Sequence, residues 1–106
     1  MNCTQLSGTV TNPPSIIPAH KTGIFFELRA RSPMAQEKPA VTNIPCRVFN
    51  ATPEQREILL GKNYRNYRVE IVGRLSVATS EDESEQNLFN LEVLALPNGL
   101  LLQKVR

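Results

Sequence analysis

The chain of 106 residues is long enough for one small hydrophobic core and too short for two domains. Its 41% hydrophobic and 21% charged residues are typical of a globular domain and argue against wholesale disorder. No apolar run approaches the roughly 18 residues of a transmembrane helix, and the start MNCTQLSG lacks the basic and apolar regions of a signal peptide. We therefore expect one domain over residues 1–106, located in the cytoplasm, nucleoid or an organelle stroma, neither secreted nor bound to a membrane.

The net charge of +2 hides an uneven distribution of acidic residues. Four of the ten, Glu81, Asp82, Glu83 and Glu85, lie in one short stretch, which leaves six acidic against twelve basic residues elsewhere. A basic surface of this kind suits a polyanionic partner such as a nucleic acid, but it is also common on ordinary solvated surfaces.

Residue types that carry catalysis or bind metals are sparse. His20 is the only histidine, and no carboxylate pair, metal-type spacing or phosphate-cradling glycine loop accompanies it. Cys3 and Cys46 lie in strand-like contexts and are predicted to be reduced, buried thiols. We expect no enzymatic activity, no catalytic residues, no metal and no cofactor.

Two predicted strands carry a glycine in their row of apolar side chains. The first strand runs from Cys3 to Thr11 and ends at the breaker Asn12-Pro13-Pro14, with Gly8 on its apolar face. In the fourth strand, RVEIVGRLSV at residues 68–77, Gly73 occupies the same kind of position. Because glycine has no side chain to collide inside a bend, it marks strand coiling, a bulge or the close approach of another backbone.

The second and third predicted strands each have two chemically different faces. In GIFFELRARS, residues 23–32, the apolar side chains alternate with a face that carries Phe25, Glu27, Arg29 and Arg31. The loop SPMAQEKPAVT joins it to NIPCRVF, residues 43–49, in which Arg47 and Phe49 oppose an apolar face. One face of each strand is suited to a core and the other to solvent or a charged ligand.

One helix is predicted, between the third and fourth strands. Thr52, Pro53 and Gln55 form a capping box with a proline at the first helical position, so the helix is expected over residues 53–60. Gly61 is expected to end it in a left-handed conformation. The acidic loop TSEDESEQ then leads to a fifth strand, LFNLEVLAL, in which Phe89 is expected to face the core and which Pro97-Asn98-Gly99 is expected to end.

This order of elements predicts an all-β fold, a five-stranded Greek-key OB-fold barrel with one short helix between strands three and four. Five strands in so short a chain must close on themselves to hide their edges, and Gly8 and Gly73 then serve as corner residues. A flat α+β sheet is the alternative, and it needs another reason for both glycines. OB-fold barrels commonly bind single-stranded nucleic acid or oligosaccharide on a strand face and its loops.

The segments MNCTQLSGTVTNPP, KTGIFFELRARS, IPCRVFNA, YRVEIVGRLSV and LEVLA, in this order, resemble the successive landmarks of bacterial single-stranded DNA-binding proteins. The resemblance covers nearly the whole chain, although Val72 stands where the family has a glutamate before the glycine of strand four. It implies binding of single-stranded DNA, or RNA, with little sequence preference, in replication, repair or recombination. It also implies a homo-oligomer, a dimer or a tetramer, and replication proteins as partners.

By the same resemblance, Phe49 takes the place of a base-stacking tryptophan at the end of strand three. Each stacked base is worth roughly 1–3 kcal/mol, and lysine and arginine bind the phosphates. The candidate nucleic-acid-binding residues are Phe25, Arg29, Arg31, Arg47, Phe49 and Arg74. Covering one end of the barrel is the alternative role for Phe49.

Several departures from the family keep other functions open. The chain has no tryptophan, its loop SEDESE between strands four and five repels phosphate, and it ends in LLLQKVR, with no disordered acidic tail for recruiting partners. Primosomal replication N proteins, tail-less OB-fold relatives of this family, fit the LSGTV and TGI segments equally well. A third possibility is a degenerate OB-fold that no longer binds nucleic acid and acts as a protein adaptor through SEDESE.

Overall fold

The computed structural model describes residues 3–31, 41–78 and 90–105. Within them the chain forms six strands, one α-helix and one turn of 3-10 helix. In chain order these are β1 (Thr4–Val10), β2 (Ser15–Ile16), β3 (Ile24–Arg31), β4 (Val41–Val48), α1 (Pro53–Leu60), the 3-10 turn (Tyr64–Asn66), β5 (Tyr67–Ala78) and β6 (Asn90–Lys104).

Five of the strands close into a barrel. The hydrogen-bonded order is β1-β5-β6-β4-β3, and β1 also pairs with β3, which completes the ring. β4 and β6 run parallel, whereas the other pairs are antiparallel. The predicted five-stranded OB-fold barrel, with its short helix between the third and fourth barrel strands, is therefore confirmed. The two-residue strand β2 pairs with the start of β3 and lies outside the ring.

The two glycines lie where backbones come close together. Gly8 pairs with both Val69 of β5 and Ala30 of β3, so it is the residue at which β1 passes from one neighbour to the other. A Cβ atom at Gly8 would overlap the carbonyl group of Arg29, and one at Gly73 would overlap the carbonyl group of Leu94. The prediction that both glycines mark barrel corners or close backbone contacts is confirmed, and close contact is the physical reason.

The core fills the barrel from all five strands. From Ile24 to Ala30 of β3 the alternation is complete: the inward side chains are buried, and the outward ones are half-buried or exposed. Leu59 of α1 is fully buried and joins this core. The fully buried side chains with the largest volumes are Phe26, Ile24, Leu28, Leu59, Ile71, Val10, Val69, Val93 and Cys46. Cys46 is thus a buried free thiol as predicted, whereas the prediction of burial is wrong for Cys3, which is exposed just before the start of β1.

The helix begins as predicted and ends differently. The Thr52 hydroxyl accepts a hydrogen bond from the Gln55 amide at 3.1 Å, and the Gln55 side chain accepts one from the Thr52 amide at 3.0 Å. The capping box is therefore present. Gly61 does not adopt the predicted left-handed conformation: its φ is −89° and its ψ −162°, and its amide donates to the carbonyl of Ile58. An extended residue leads the chain out of the helix instead.

The last strand does not end at Pro97. β6 continues to Lys104, because residues 96–99 bulge out opposite Val72 and pairing with β5 resumes at Leu100. Asn98 makes the turn with a φ of 60°, a conformation that asparagine tolerates better than most residues. The segment LLLQK, unassigned from the sequence, therefore pairs with the first half of β5 and extends the barrel wall.

Residues 32–40 and 79–89 lie outside the described part of the chain. The predicted acidic loop with SEDESE and the prediction for Phe89 therefore stay untested. Among the described residues, no helix is both long and apolar enough to cross a membrane.

Candidate nucleic-acid interface

The outer face of the sheet around β3 and β4 holds most of the candidate residues. On β3, Phe25 and Glu27 are half-buried and Arg29 is exposed, because they alternate with the core side chains. Arg47 of β4 is half-buried and has the same outward direction. The face therefore offers both an aromatic ring and cations.

The strand register places three of the candidates in one row across the barrel wall. Phe25 is paired with Arg47, Arg47 with Leu94 of β6, and Leu94 with Arg74 of β5. We call these four residues the transverse row. Neighbouring strands are about 4.8 Å apart, so Arg74 and Arg47 are two strand spacings, or roughly 10 Å, from each other at the backbone. Arg74 is exposed, as is expected for a cation that meets a ligand from solvent.

Arg47 makes two close contacts within this face. Its Nε atom donates a hydrogen bond to Oε2 of Glu92 at 2.8 Å, which is also an ion pair. The central carbon of its guanidinium lies 5.1 Å from the centroid of the Phe25 ring, within the range of a cation–π contact. The side chain of Arg47 is 35% exposed and that of Glu92 only 12%. Arg47 is therefore held in place from two sides.

Phe49 lies just beyond the end of β4, two residues from Arg47, and is half-buried. Its ring is tilted by 59° against that of His20, with 4.9 Å between the two centroids. Its backbone oxygen accepts a hydrogen bond from the Thr22 hydroxyl at 2.6 Å. The loop before β3 thus contacts Phe49 through both its ring and its backbone, and the residue remains half-buried.

The remaining candidates are not in the transverse row. Arg29 is four residues from Phe25 along β3, which corresponds to about 13 Å. The side chain of Arg31 lies outside the described part of the chain, although its backbone ends β3 opposite Val41. These two arginines flank the row on one side.

Sequence reasoning did not select Glu92 and Leu94. Their alternation with Val93 could have placed them on the outer face, because Val93 is fully buried. Their proximity to Arg47 follows from the parallel pairing of β4 with β6, and a parallel register cannot be read from a single strand. Among the described residues, no group of three or more histidine, cysteine, aspartate or glutamate side chains could hold a metal ion.

These observations define an OB-fold barrel whose outer wall carries a row of aromatic, cationic and apolar side chains. No family model matches the sequence, and no curated protein matches it. Among solved structures, the chain is similar to the SSB of Plasmodium falciparum in its complex with ssDNA, with a TM-score of 0.67 and 17% sequence identity. The alignment covers 100% of this chain and 96% of that one. At this identity, the similarity shows a common fold.

Proposed function

We propose that the barrel binds single-stranded DNA, with little sequence preference, on the outer face formed by β3, β4, β6 and β5. The observation that carries this proposal is the transverse row, in which Phe25, Arg47 and Arg74 are aligned across the strands. Nonspecific single-strand binding needs aromatic or guanidinium surfaces for the bases and cations for the phosphates. The row supplies both over a span of a few nucleotides.

A single strand fits this face better than a duplex does. Stacking requires access to the flat faces of the bases, which a duplex hides between neighbouring base pairs. The row contains no asparagine or glutamine, the side chains that pair with adenine edges, and stacking on a ring or a guanidinium tolerates any base. Little sequence preference is therefore expected.

The similarity to the Plasmodium falciparum protein supports the proposal, because that protein has the same fold and was solved with ssDNA. Membership in the bacterial single-stranded DNA-binding family, a role in replication, repair or recombination, and assembly into a dimer or tetramer belong to the same proposal. They are inferred from the resemblance of the sequence. The alternatives are a primosomal-type accessory factor and a protein adaptor. The first rests on the LSGTV and TGI segments, which fit both families equally well, and the second on SEDESE, which lies outside the described residues.

Replacing single arginines on β5 tests where the strand binds. We expect Arg74→Gln to weaken binding of oligo-dT and to lower the slope of log K against log salt by about 0.7, the value for one phosphate contact. Arg68→Gln is the matched control: Arg68 is exposed on the same side of the same strand, about 20 Å away, where it donates to the Ser7 hydroxyl. Equal effects of the two changes would mean that binding is not on this row.

A further inference from the structure

Glu92 is a buried carboxylate on an outer face that also carries cationic and apolar side chains. The residue is 9% exposed, yet it carries a charge that must be compensated at such a depth. The compensation comes from the Arg47 Nε atom, at 2.8 Å. Among the described residues, the structure shows no other ion pair.

The pair removes the net charge of Arg47 from the centre of the transverse row. Glu92 accepts from one of the five guanidinium N–H donors and offsets the positive charge of Arg47, so a phosphate at the remaining donors is attracted less than it would be at an unpaired arginine. Carboxylate and phosphate oxygens are also similar acceptors for a guanidinium, so exchanging one for the other gains little. Arg47 is therefore poorly suited to the phosphate-binding role that the family resemblance implies.

The geometry of Arg47 suits another role. Its guanidinium lies over the Phe25 ring at 5.1 Å, and 35% of the side chain is exposed. A guanidinium is planar and weakly hydrated, stacks on aromatic rings, and offers its other side to a nucleic-acid base. Glu92 holds it in this orientation through Nε.

We propose that Glu92 withdraws Arg47 from phosphate binding and holds it as the outer layer of a base-stacking platform built on Phe25. The inference rests on the proposed binding of single strands, and it says which side chains of the transverse row contact phosphate and which contact a base. Arg74 contacts phosphate on this row, whereas the layered pair of Phe25 and Arg47 contacts a base. Glu92 is then a positioning residue that lowers the salt dependence of binding.

The first test neutralises Glu92. We expect Glu92→Gln to free the charge of Arg47, to tighten oligo-dT binding at low salt, and to raise the salt slope by about 0.7. The ratio of affinities at 50 and 200 mM salt then rises about 2–3-fold. Glu27→Gln, the same charge change on the same face without an arginine partner among the described residues, is expected to leave the slope unchanged. A Glu92→Gln slope equal to that of the unmodified protein overturns the proposal.

The second test removes both charges, so that the fold does not have to hold one of them unpaired. In Arg47→Gln/Glu92→Gln we expect an unchanged salt slope, an unchanged affinity for an abasic oligonucleotide, and about tenfold weaker binding of oligo-dT. A lower slope in this variant means that Arg47 binds phosphate, which contradicts the proposal. If the unmodified protein binds no oligo-dT, the proposed function itself fails; if it binds and neither variant changes it as stated, only this inference fails.

Discussion

Gly73 of β5 lies directly against the carbonyl group of Leu94 in β6, so close that a Cβ atom at position 73 would overlap it. This contact lies next to the register shift between Ile71 and Gly73. At this shift β6 forms its bulge, and Gly73 is the first residue of β5 beyond it that pairs with β6 again. A missing side chain thus permits the tight strand pairing that brings Arg74, the next residue, into the transverse row. The local cost of glycine in a strand is offset by barrel closure.

Placing valine at this position should destabilise the barrel. Gly73→Val adds three carbon atoms where the nearest neighbours are the backbone carbonyl group of Leu94, which cannot move aside as a flexible side chain can, and the side chain of the buried Val93. We expect the free energy of unfolding to fall by about 1–3 kcal/mol or more, measured by urea unfolding. Arg74→Val, one residue along and exposed, serves as the control and is expected to change stability by less than about 0.5 kcal/mol. Equal stabilities of the two variants would contradict this explanation of Gly73.

Much of this fold could be predicted from local patterns, and the predictions that were wrong have physical explanations. Alternation located the barrel strands, and the capping box located the start of the helix, because both are set within a few residues. The course of β6 past Pro97 could not be read in this way. Proline and glycine normally end strands, but here they form a bulge opposite Val72, and only the pairing of LLLQK with distant β5 carries the strand onward.

Replacing Phe49 distinguishes a role in base stacking from a role in packing the barrel. Its ring contacts His20 but remains half-buried, so Phe49→Ala should leave the fold nearly intact. We expect single-strand binding to weaken by about 1–3 kcal/mol, measured by titration with oligo-dT. If Phe49 instead belongs to the core, the same change should cost roughly 3–5 kcal/mol of folding stability, which a thermal melt would reveal. His20→Ala is the control for loss of the ring contact alone, and is expected to affect binding much less.

The Cys46 thiol gives a prediction that depends on pH. Burial raises its pKa from 9.0 to about 12. The unfolded chain, with the ordinary pKa, therefore loses this proton first, and the folded state loses stability as pH rises from about 9 to 12. We expect urea unfolding to show a steeper loss over this range in the unmodified protein than in Cys46→Val, which has no titrating group there. The same dependence in both proteins would contradict the burial of a neutral thiol.

The two thiols should also react differently. Below pH 9 a thiol reagent should modify the exposed Cys3 readily and Cys46 only after unfolding, because the thiolate is the reactive species and burial disfavours it. Counting modified thiols with and without denaturant measures this. Rapid modification of both in the folded protein would contradict the core described here.

The candidate site was less predictable than the fold. Outward direction could be read for Phe25, Arg47 and Arg74, since each alternates with core residues on its own strand. Their alignment could not be read, because it depends on the register of four strands that are distant in sequence. The pairing of Arg47 with Glu92 depends on the same register, and it changes the expected role of the arginine from a phosphate contact to a stacking surface.

The proposed binding of single strands can be measured by titrating the protein with oligo-dT and with duplex DNA of equal length, each at 50 and 200 mM salt. We expect binding of oligo-dT that weakens as salt rises, with a slope of about 0.7 for each phosphate contacted, and clearly weaker binding of the duplex. Undetectable binding of any single strand at 50 mM salt, or equal affinity for the duplex, would contradict it.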